Sequence, residues 1–409
     1  MALEGTVDRI VVPSRSPLIG EAASVYLDAL RAIAANLVIA SHVLSLYFGI
    51  RDPYALGHLG VAVFFLLSGF LIMQSMLKWA ARDKGPMLPG FLADRLARVL
   101  TPYVPALLLI AGLNAWLIEG KYGAEGSSVG VLAFFGNLLL LQDHSVFQLL
   151  ELVGLAPAWR IRSYNAAEPF WTVAVEMWIY VSMGLFFFCL VLRERARKPY
   201  VAALALVSFP VLVWNAAAGG GKSLTLIWMT GAIAGMLFHF WRPALLAAAR
   251  SIACVLIAVG LVAVLGRVGK VGFHPYDFQT AALLAFVMFG VLAWLLSVRS
   301  VPGSLKRAAG FLASYSYSLY LVHNTVLIVI LELLPIGSTW LRVATAVASA
   351  HCVAYLLYLS FERHYRAVAT WLRPKLERLL SGVRPRTVTA PNEPPAPSVI
   401  VSGRSATLE

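Results

Sequence analysis

Charge and cysteine are both scarce in this chain of 409 residues. Charged residues make up 13% of the chain, whereas 60% of the residues are hydrophobic and the mean hydropathy is +0.78. This composition excludes an ordinary soluble domain. The three cysteines lie in separate apolar segments without the spacing of a metal motif, so we expect neither disulfides nor a metal site: Cys189, Cys254 and Cys352.

Other absences narrow the class of function. The net charge of +13 comes without a nucleic-acid recognition motif, so we expect no nucleic-acid partner and assign the charge to membrane insertion and lipid headgroups. Residues 1–24 lack the apolar core of a cleavable signal peptide, which makes the first apolar helix the insertion signal. The string GGGKS at 219–223 lacks the first glycine of a phosphate-binding loop and is interpreted as a turn.

Apolar segments long enough to cross a bilayer recur along the chain. A spanning helix needs about 20 residues, and the pattern predicts about ten transmembrane helices in an all-α polytopic membrane protein. The predicted spans are 25–48, 58–77, 100–118, 169–192, 199–215, 224–241, 252–268, 279–297, 309–334 and 339–360. The apolar segment 129–141 is too short to span and is interpreted as an interfacial or re-entrant helix.

Lys and Arg are concentrated in alternate loops, and such loops are retained in the cytoplasm. The pattern places both termini on the cytoplasmic side. We divide the chain into a cytoplasmic N-terminal segment (1–24), a membrane domain (25–365) and a cytoplasmic basic, Pro-rich tail (366–409). The tail is expected to be disordered, and most clearly so from about residue 381.

The first predicted span carries an arginine and a histidine on one face. In RAIAANLVIASH, Arg31 and His42 are eleven residues apart, which is about 20° past three full turns and about 16 Å along the helix axis. Arg31 is then near the cytoplasmic end and His42 in the outer half of the membrane. Ionisable groups at such depths usually face a bundle interior or a water-filled path.

Two other spans contribute polar groups at similar depth. In PFWTVAVEMWIYV, Glu176 lies about 9 Å inside the outer end of its helix, near the expected depth of His42. In SYSYSLYLVHNTVL, Tyr320 and His323 are three residues apart and occupy neighbouring positions on one face. We therefore expect Glu176 and His42 to be able to meet, with His323 near mid-membrane.

Small and basic residues accompany these groups. The segment LGVAVFFLLSGFLIM supplies Ser68, together with Gly60 and Gly69, which permit close helix packing. The segment FLADRLARVL presents Arg95 and Arg98 at three-residue spacing, expected at the cytoplasmic end of the following span. Two guanidinium groups so placed suit phosphate binding.

Five of these segments resemble the integral-membrane acyltransferase 3 family. YLDALRAIAANLVIASH, GHLGVAVFFLLSGFLI, Arg-x-x-Arg followed by TPY, FWTVAVEMWIYV and SYSYSLYLVH occur in the family's order across roughly residues 24–365. The resemblance implies transfer of an acyl group, commonly acetyl, from cytoplasmic acyl-CoA to a hydroxyl of a glycan, lipid-linked saccharide or related acceptor. It also implies a helical bundle around a central tunnel in a bacterial inner membrane, of the stand-alone type without a periplasmic esterase-like domain. Acyl-CoA is expected as a substrate, with no bound cofactor.

The family's motif residues carry over by position. Thr172 stands where the family usually has Ser and retains a hydroxyl. The matching positions are Arg31, His42, Arg95, Arg98, Trp171, Glu176, Ser316, Tyr317, Tyr320 and His323.

We interpret His42 as the general base that takes the proton of the acceptor hydroxyl. Glu176 is expected to hold the imidazole and stabilise its charged form. Tyr320 or His323 is expected to donate to the thioester oxygen as negative charge develops. The resemblance leaves open which histidine reacts, and the sequence does not separate direct transfer from a route through an acylated histidine.

The substrate-binding residues are assigned to the two ends of the tunnel. The residues expected to bind acyl-CoA are Arg31, Ser68, Arg95 and Arg98. Those expected to contact the acceptor are Arg160, Arg162 and Trp171. Two alternatives stay open: a secondary transporter that uses the intramembrane His and Glu residues as a path, and a non-catalytic membrane scaffold.

Overall fold

The computed structural model describes residues 20–52, 54–82, 86–118, 129–155, 160–241, 246–334 and 337–380. Most of the predicted N-terminal segment and the tail from residue 381 lie outside the described residues. The α-helices are α1 (Glu21–Phe48), α2 (Leu56–Ala80), α3 (Met87–Leu113), α4 (Val131–Leu138), α5 (Ser145–Leu152), α6 (Phe170–Gly184), α7 (Lys198–Ala216), α8 (Leu224–Phe240), α9 (Ala249–Val271), α10 (Phe278–Leu295), α11 (Gly303–Ser314), α12 (Ser316–Leu333), α13 (Thr339–Ser360) and α14 (Tyr365–Leu380). Short π-helical segments extend α3 over Asn114–Ile118 and α6 over Leu185–Val191.

The predicted all-helical, multi-pass architecture is confirmed. Within the described ranges, nine helical segments are long and apolar enough to cross a membrane, and each overlaps a predicted span. The remaining predicted span, 224–241, corresponds to α8, an apolar helix of 17 residues. The exact number of crossings and the side of each terminus remain predictions.

Two predicted spans have different boundaries in the structure. Helix α3 begins at Met87 rather than at residue 100, so Arg95 and Arg98 lie inside this helix and not at its end. Leu88 and Phe91 in its first turns are fully buried. Burial of these apolar side chains stabilises this part of the helix although charged residues lie nearby. The predicted span 309–334 is broken at Tyr315 into α11 and α12, because α11 is largely exposed and only α12 carries a continuous buried sequence.

Residues 366–380, placed with the tail by the sequence, belong to the amphipathic helix α14. This helix packs against α3, and Arg373 forms an ion pair with Asp94 at 3.1 Å. At its far end, the Leu380 carbonyl accepts a hydrogen bond from Arg197 N at 2.6 Å. The apolar residues of α14 recur at helical spacing, so their shared face is buried on the bundle although the helix is too polar to span.

Small residues bring α2 and α8 into very close contact, as expected for membrane helices. A Cβ atom at Gly69 would overlap the main chain at Trp228, and one at Gly231 would overlap the Leu66 carbonyl. The predicted role of Gly69 in close packing is therefore confirmed. This packing also places the Trp228 indole in the polar cluster of the candidate active site.

Candidate active site

A cavity of about 180 Å³ lies between α1, α2, α3, α6 and α12 and is called the central cavity below. The helices that contribute most residues to it are among the most buried in the molecule. Many residues singled out in the sequence meet here. The predicted site residues that line it are Arg31, Ser68, Arg95, Arg98, Glu176 and Tyr320.

The two predicted histidines lie side by side beyond Tyr320. The ring centroids of Tyr320 and His323 are 5.9 Å apart, and those of His323 and His42 are 5.1 Å apart. His323 is fully buried, and its Nδ1 lies 2.8 Å from the Tyr320 carbonyl and 3.1 Å from the Leu319 carbonyl. Carbonyls only accept, so Nδ1 carries the proton, and Nε2 keeps a lone pair for which the described residues supply no hydrogen-bond partner.

The carboxylate that faces His42 is Glu168 and not the expected Glu176. Glu168 Oε2 lies 4.0 Å from His42 Nδ1. Glu168 ends the segment before α6, and that segment is held at the Ala166 carbonyl, which accepts from Asn324 Nδ2 at 2.9 Å and from Thr325 Oγ1 at 3.2 Å. Glu176 and His42 were expected at the same depth in the membrane. Depth alone does not determine which side of α6 faces α1, and Glu176 is not the partner of His42.

Glu176 instead ends a directed chain of hydrogen bonds. The Trp228 indole N–H donates to Ser68 Oγ at 3.1 Å, and Ser68 Oγ lies 2.7 Å from the Tyr180 hydroxyl, which donates to Glu176 Oε1. Since Tyr180 gives its proton to Glu176, Ser68 must donate to Tyr180. Ser68, expected to bind the donor, lines the cavity but has both hydrogen-bonding functions engaged with protein groups.

The Tyr320 hydroxyl is bonded to the threonine of the FWT motif. Thr172 Oγ1 lies 2.5 Å from the Tyr320 hydroxyl and donates to the Pro169 carbonyl at 2.8 Å. Thr172 therefore accepts the Tyr320 proton. Tyr320 can donate to a substrate oxygen only if it turns away from Thr172.

The three cavity arginines have different partners. Arg31 pairs with Asp28 at 3.3 Å, one turn earlier on α1. Arg98 pairs with Glu362 at 3.1 Å. Arg95 forms no ion pair within the described residues, and its guanidinium carbon lies 5.9 Å from the Phe91 ring centroid. Arg95 is therefore the cavity arginine whose charge is least compensated.

Glu362 is a fully buried carboxylate that follows α13. Its Oε2 accepts from Ser318 N at 3.2 Å and Ser318 Oγ at 2.6 Å, while Oε1 faces Arg98. This arrangement ties the start of α12 to the middle of α3. A buried carboxylate of this kind is stabilised only when both its charge and its lone pairs are satisfied.

The predicted acceptor residues share a separate cavity of about 560 Å³, called the loop cavity below. It lies on the other face of α6 from the central cavity, between α6, α7 and the loops around them. Its lining includes all three predicted residues, together with Glu168, which also reaches His42. The predicted acceptor residues are Arg160, Arg162 and Trp171.

Charges in the loop cavity are mixed. Arg160 pairs with Glu151 at 2.7 Å and with Asp143 at 3.7 Å. Lys222 Nζ lies 3.7 Å from the Trp171 ring centroid. Burial lowers the pKa of Lys222 against the attraction of Asp143, and burial raises the pKa of Asp143 against the attraction of Arg160. The cavity is thus polar and aromatic, and its cations are balanced by carboxylates.

Sequence reasoning missed four residues of this site: Glu168, Tyr180, Trp228 and Glu362. Glu168 directly precedes the predicted span 169–192, and this position at the expected outer end of the span was the available signal. Tyr180 lies one turn after Glu176, so its spacing was also available. The contacts of Trp228 and Glu362 span 160 and 44 residues, and no local pattern predicts them.

Comparisons with known proteins identify the family of the chain. A family model described as "Acyltransferase domain" matches residues 24–359. The exopolysaccharide production protein ExoZ of Rhizobium meliloti (strain 1021) is 27% identical over 327 residues, which cover 76% of this chain and 90% of that protein. No solved structure matches. The chain belongs to the acyltransferase 3 family of membrane acyltransferases.

Proposed function

We propose that this membrane acyltransferase moves an acetyl group from cytoplasmic acetyl-CoA to a hydroxyl of an extracellular polysaccharide or its lipid-linked precursor, within a bacterial inner membrane. The observation that carries the proposal is the order of groups in the site. An arginine-lined cavity leads to Tyr320, and two adjacent histidines follow at ring separations of 5.9 and 5.1 Å. This order provides an anion-binding end and a proton-accepting end in one path.

The donor end is assigned to the central cavity. Guanidinium groups bind phosphates through paired hydrogen bonds and charge, and Arg31, Arg95 and Arg98 supply three of them. Arg31 and His42 are about 16 Å apart along α1 by helix geometry, which leaves room for an extended pantetheine arm. The thioester would then reach the Tyr320 and His323 region.

The reaction proceeds by general-base catalysis at His42. The acceptor oxygen attacks the thioester carbon as His42 takes the hydroxyl proton; the C–S bond then breaks, and the imidazolium returns the proton to the CoA sulfur. Glu168, at 4.0 Å from His42 Nδ1, stabilises the imidazolium, a role first expected of Glu176. Tyr320 supplies a hydrogen bond to the developing oxyanion after leaving Thr172.

His323 is the second candidate base, because its Nε2 lone pair is buried without a partner. An acylated His323 would also serve a two-step route, since its Nδ1 proton is already held by main-chain carbonyls. Rapid quenching of the enzyme with labelled acetyl-CoA, without acceptor, separates the routes. Label on His323 supports two steps, and no protein-bound label supports direct transfer.

The acceptor is assigned to the loop cavity. ExoZ is described as an exopolysaccharide production protein, which supports a polysaccharide acceptor for this chain. Saccharide recognition needs hydrogen-bonding groups beside apolar surface, and the cavity combines Trp171 with Arg160 and Arg162. Glu168 lines this cavity and also faces His42, so it joins the acceptor region to the proposed base.

The function is tested by acetyl transfer in inverted membrane vesicles. Radiolabelled acetyl-CoA is added to vesicles that contain the wild type, His42→Ala or Arg31→Ala at matched expression, and label is followed in glycan and lipid fractions. We expect label with the wild type, and a loss of about 100-fold or more with His42→Ala. His239→Ala is the matched control, because His239 lies at the end of α8 and lines neither cavity.

Retention of wild-type transfer by His42→Ala and Arg31→Ala would contradict the proposed roles. The transporter alternative predicts uptake or export of a substrate without consumption of acetyl-CoA. Release of CoA thiol by the purified protein therefore discriminates between the two functions.

A further inference from the structure

A second basic cavity adjoins the central cavity. It has a volume of about 320 Å³ and is called the mouth cavity below. Arg31 and Arg98 line both cavities, so the two are joined through these side chains. The lining of the mouth cavity also includes Tyr358 at the end of α13, Arg363 in the short 3₁₀ turn Glu362–His364 and Arg366 in the first turn of α14.

The lining of the mouth cavity carries a strong excess of positive charge. Its arginines are Arg31, Arg98, Arg363 and Arg366, and its carboxylate is Asp28. Asp28 pairs with Arg31. Neither Arg363 nor Arg366 forms an ion pair within the described ranges, and their Nε atoms donate to His364 Nε2 and to the Tyr365 hydroxyl.

Contacts of the neighbouring residues fix the main chain that carries these two exposed arginines. Glu362 immediately precedes Arg363 and is anchored to Ser318 and Arg98. The Tyr365 ring lies 4.9 Å from the Arg98 guanidinium carbon. The segment that carries the two arginines is therefore anchored to both α3 and α12. It follows residue 359, where the match to the family model ends.

We infer that the mouth cavity binds the nucleotide part of acyl-CoA, and that Arg363 and Arg366 recognise its 3′-phosphate. This inference rests on the proposed function. In CoA the diphosphate lies between the pantetheine arm and the adenosine, whereas the 3′-phosphate lies on the ribose, farther from the thioester. Arg31 and Arg98, which reach both cavities, match the diphosphate. Arg363 and Arg366, which line only the mouth cavity, match the 3′-phosphate.

The inference is tested by comparing two donors that differ only in that phosphate. Purified wild type, Arg363→Gln, Arg366→Gln and the double variant are assayed with acetyl-CoA and with acetyl-3′-dephospho-CoA. We expect the double variant to raise KM for acetyl-CoA about 10-fold or more, with kcat and the KM for the dephospho donor unchanged. Arg378→Gln removes a charge from the exposed side of α14 and is the matched control.

Binding of adenosine 3′,5′-bisphosphate, measured by calorimetry without acceptor, separates this inference from the proposed function. Weaker binding by the double variant than by the wild type supports the inference even if no acetyl transfer is detected. Equal binding by both proteins overturns it, even if acetyl transfer is confirmed. An equal rise in KM for both donors also overturns it, because a general loss of positive charge or of lipid contact would then explain the effect.

Discussion

Helices α12 and α9 are both predicted as spans, but they occupy opposite environments. In α12, 72% of the spanning window is buried inside the protein, at a mean hydropathy of 1.4. In α9 only 11% is buried, at a mean hydropathy of 2.4. The more apolar helix is thus the less buried one. Hydropathy reports how well a segment suits lipid, whereas contact with protein in this bundle accompanies polar side chains such as His323 and Asn324.

The same difference separates the functional helices from the others. Helices α1, α2, α3, α6 and α12 line the central cavity, whereas α9 and α10 pack chiefly against one another. Substitutions in the first group should change catalysis or the stability of the bundle. Substitutions in the second group should have small effects, because much of its surface is not in contact with protein.

The largest effect is expected at the histidines. His323→Ala should lower the transfer rate by about 100-fold or more, because the ring beside His42 and its buried Nε2 are lost. The measurement is acetyl transfer from acetyl-CoA at matched protein folding, judged by size-exclusion chromatography in detergent. A folded His323→Ala protein with wild-type transfer would exclude His323 from the mechanism.

Removal of Glu362 should strongly destabilise the bundle. Glu362→Ala leaves Ser318 and Arg98 without their acceptor, and loss of one partner from a buried ion pair costs about 3–5 kcal/mol. Arg98 is one-third exposed, so we expect the lower end of that range. Thermal unfolding in detergent measures the loss. Ser318→Ala removes only the hydroxyl contact to Glu362, because the Ser318 N–H keeps its bond, and should cost about 1 kcal/mol; an equal effect of both variants would contradict the role assigned to Arg98.

Tyr320→Phe should have an intermediate effect on catalysis. It removes the hydroxyl that is bonded to Thr172 and proposed for the oxyanion, and we expect a decrease in kcat of about 10–100-fold with little change in KM. Steady-state kinetics with acetyl-CoA measure the split. Thr172→Val leaves the tyrosine hydroxyl free to reach substrate and should retain more activity than Tyr320→Phe. The reverse order would contradict the oxyanion role.

A smaller effect is expected where α9 joins α10. Asp277 caps α10 through Thr280 N at 3.0 Å and pairs with Arg267 of α9 at 2.7 Å. Burial opposes ionisation of Asp277, but the bonds from Thr280 and Arg267 outweigh it and lower the pKa from 3.8. A carboxyl group whose pKa is lowered on folding stabilises the fold at pH values above its pKa in the unfolded chain. This stabilisation is lost as the pH falls through the pKa of the group in the folded protein.

Asp277→Ala should therefore cost about 1 kcal/mol at neutral pH, with transfer activity unchanged. The stability difference between this variant and the wild type should shrink as the pH falls below about 4. Thermal unfolding across a pH series in detergent provides the measurement. A difference that grows with acidity would contradict the assigned pKa direction.

The smallest effect is expected on the exposed face of α9. Leu265 is 70% exposed in the protein, so Leu265→Ala should change neither transfer nor stability in detergent beyond about 0.5 kcal/mol. The matched buried change is Leu327→Ala on α12, where the side chain is fully buried and the cost should be about 2–5 kcal/mol. Similar losses of stability on substitution of the two leucines would contradict the proposed difference between α9 and α12.

The sequence predicted the helices and much of the site, but not how neighbouring faces meet. The spacing of Tyr320 and His323 predicted that they share one helix face, and their rings lie 5.9 Å apart. The sequence did not predict that the His42 ring lies 5.1 Å from that of His323. Depth alone was available for Glu176, and the structure pairs His42 with Glu168 instead. The sequence also placed Arg98 near the end of its helix. Its charge favoured a predicted span that begins after it, whereas the buried apolar turns before Arg98 belong to the same helix.

Contacts between residues far apart in the chain also could not be predicted from the sequence. Glu362 meets Arg98 only because α13 and α14 return to the opening of the site. The boundary between membrane domain and tail was set at 365, where the resemblance to the acyltransferase 3 family ends. The apolar spacing of α14 indicates an amphipathic helix, but nothing within the helix specifies α3 as the element against which it packs.

The central claim is that the arginine-lined cavity and the histidine pair form one acyl-transfer site. Its most direct test is the release of CoA thiol from acetyl-CoA by the purified protein in liposomes, in the presence of the organism's polysaccharide fraction. We predict acceptor-dependent release by the wild type and at least about 100-fold slower release by His42→Ala. Release by His42→Ala at the wild-type rate would contradict the account.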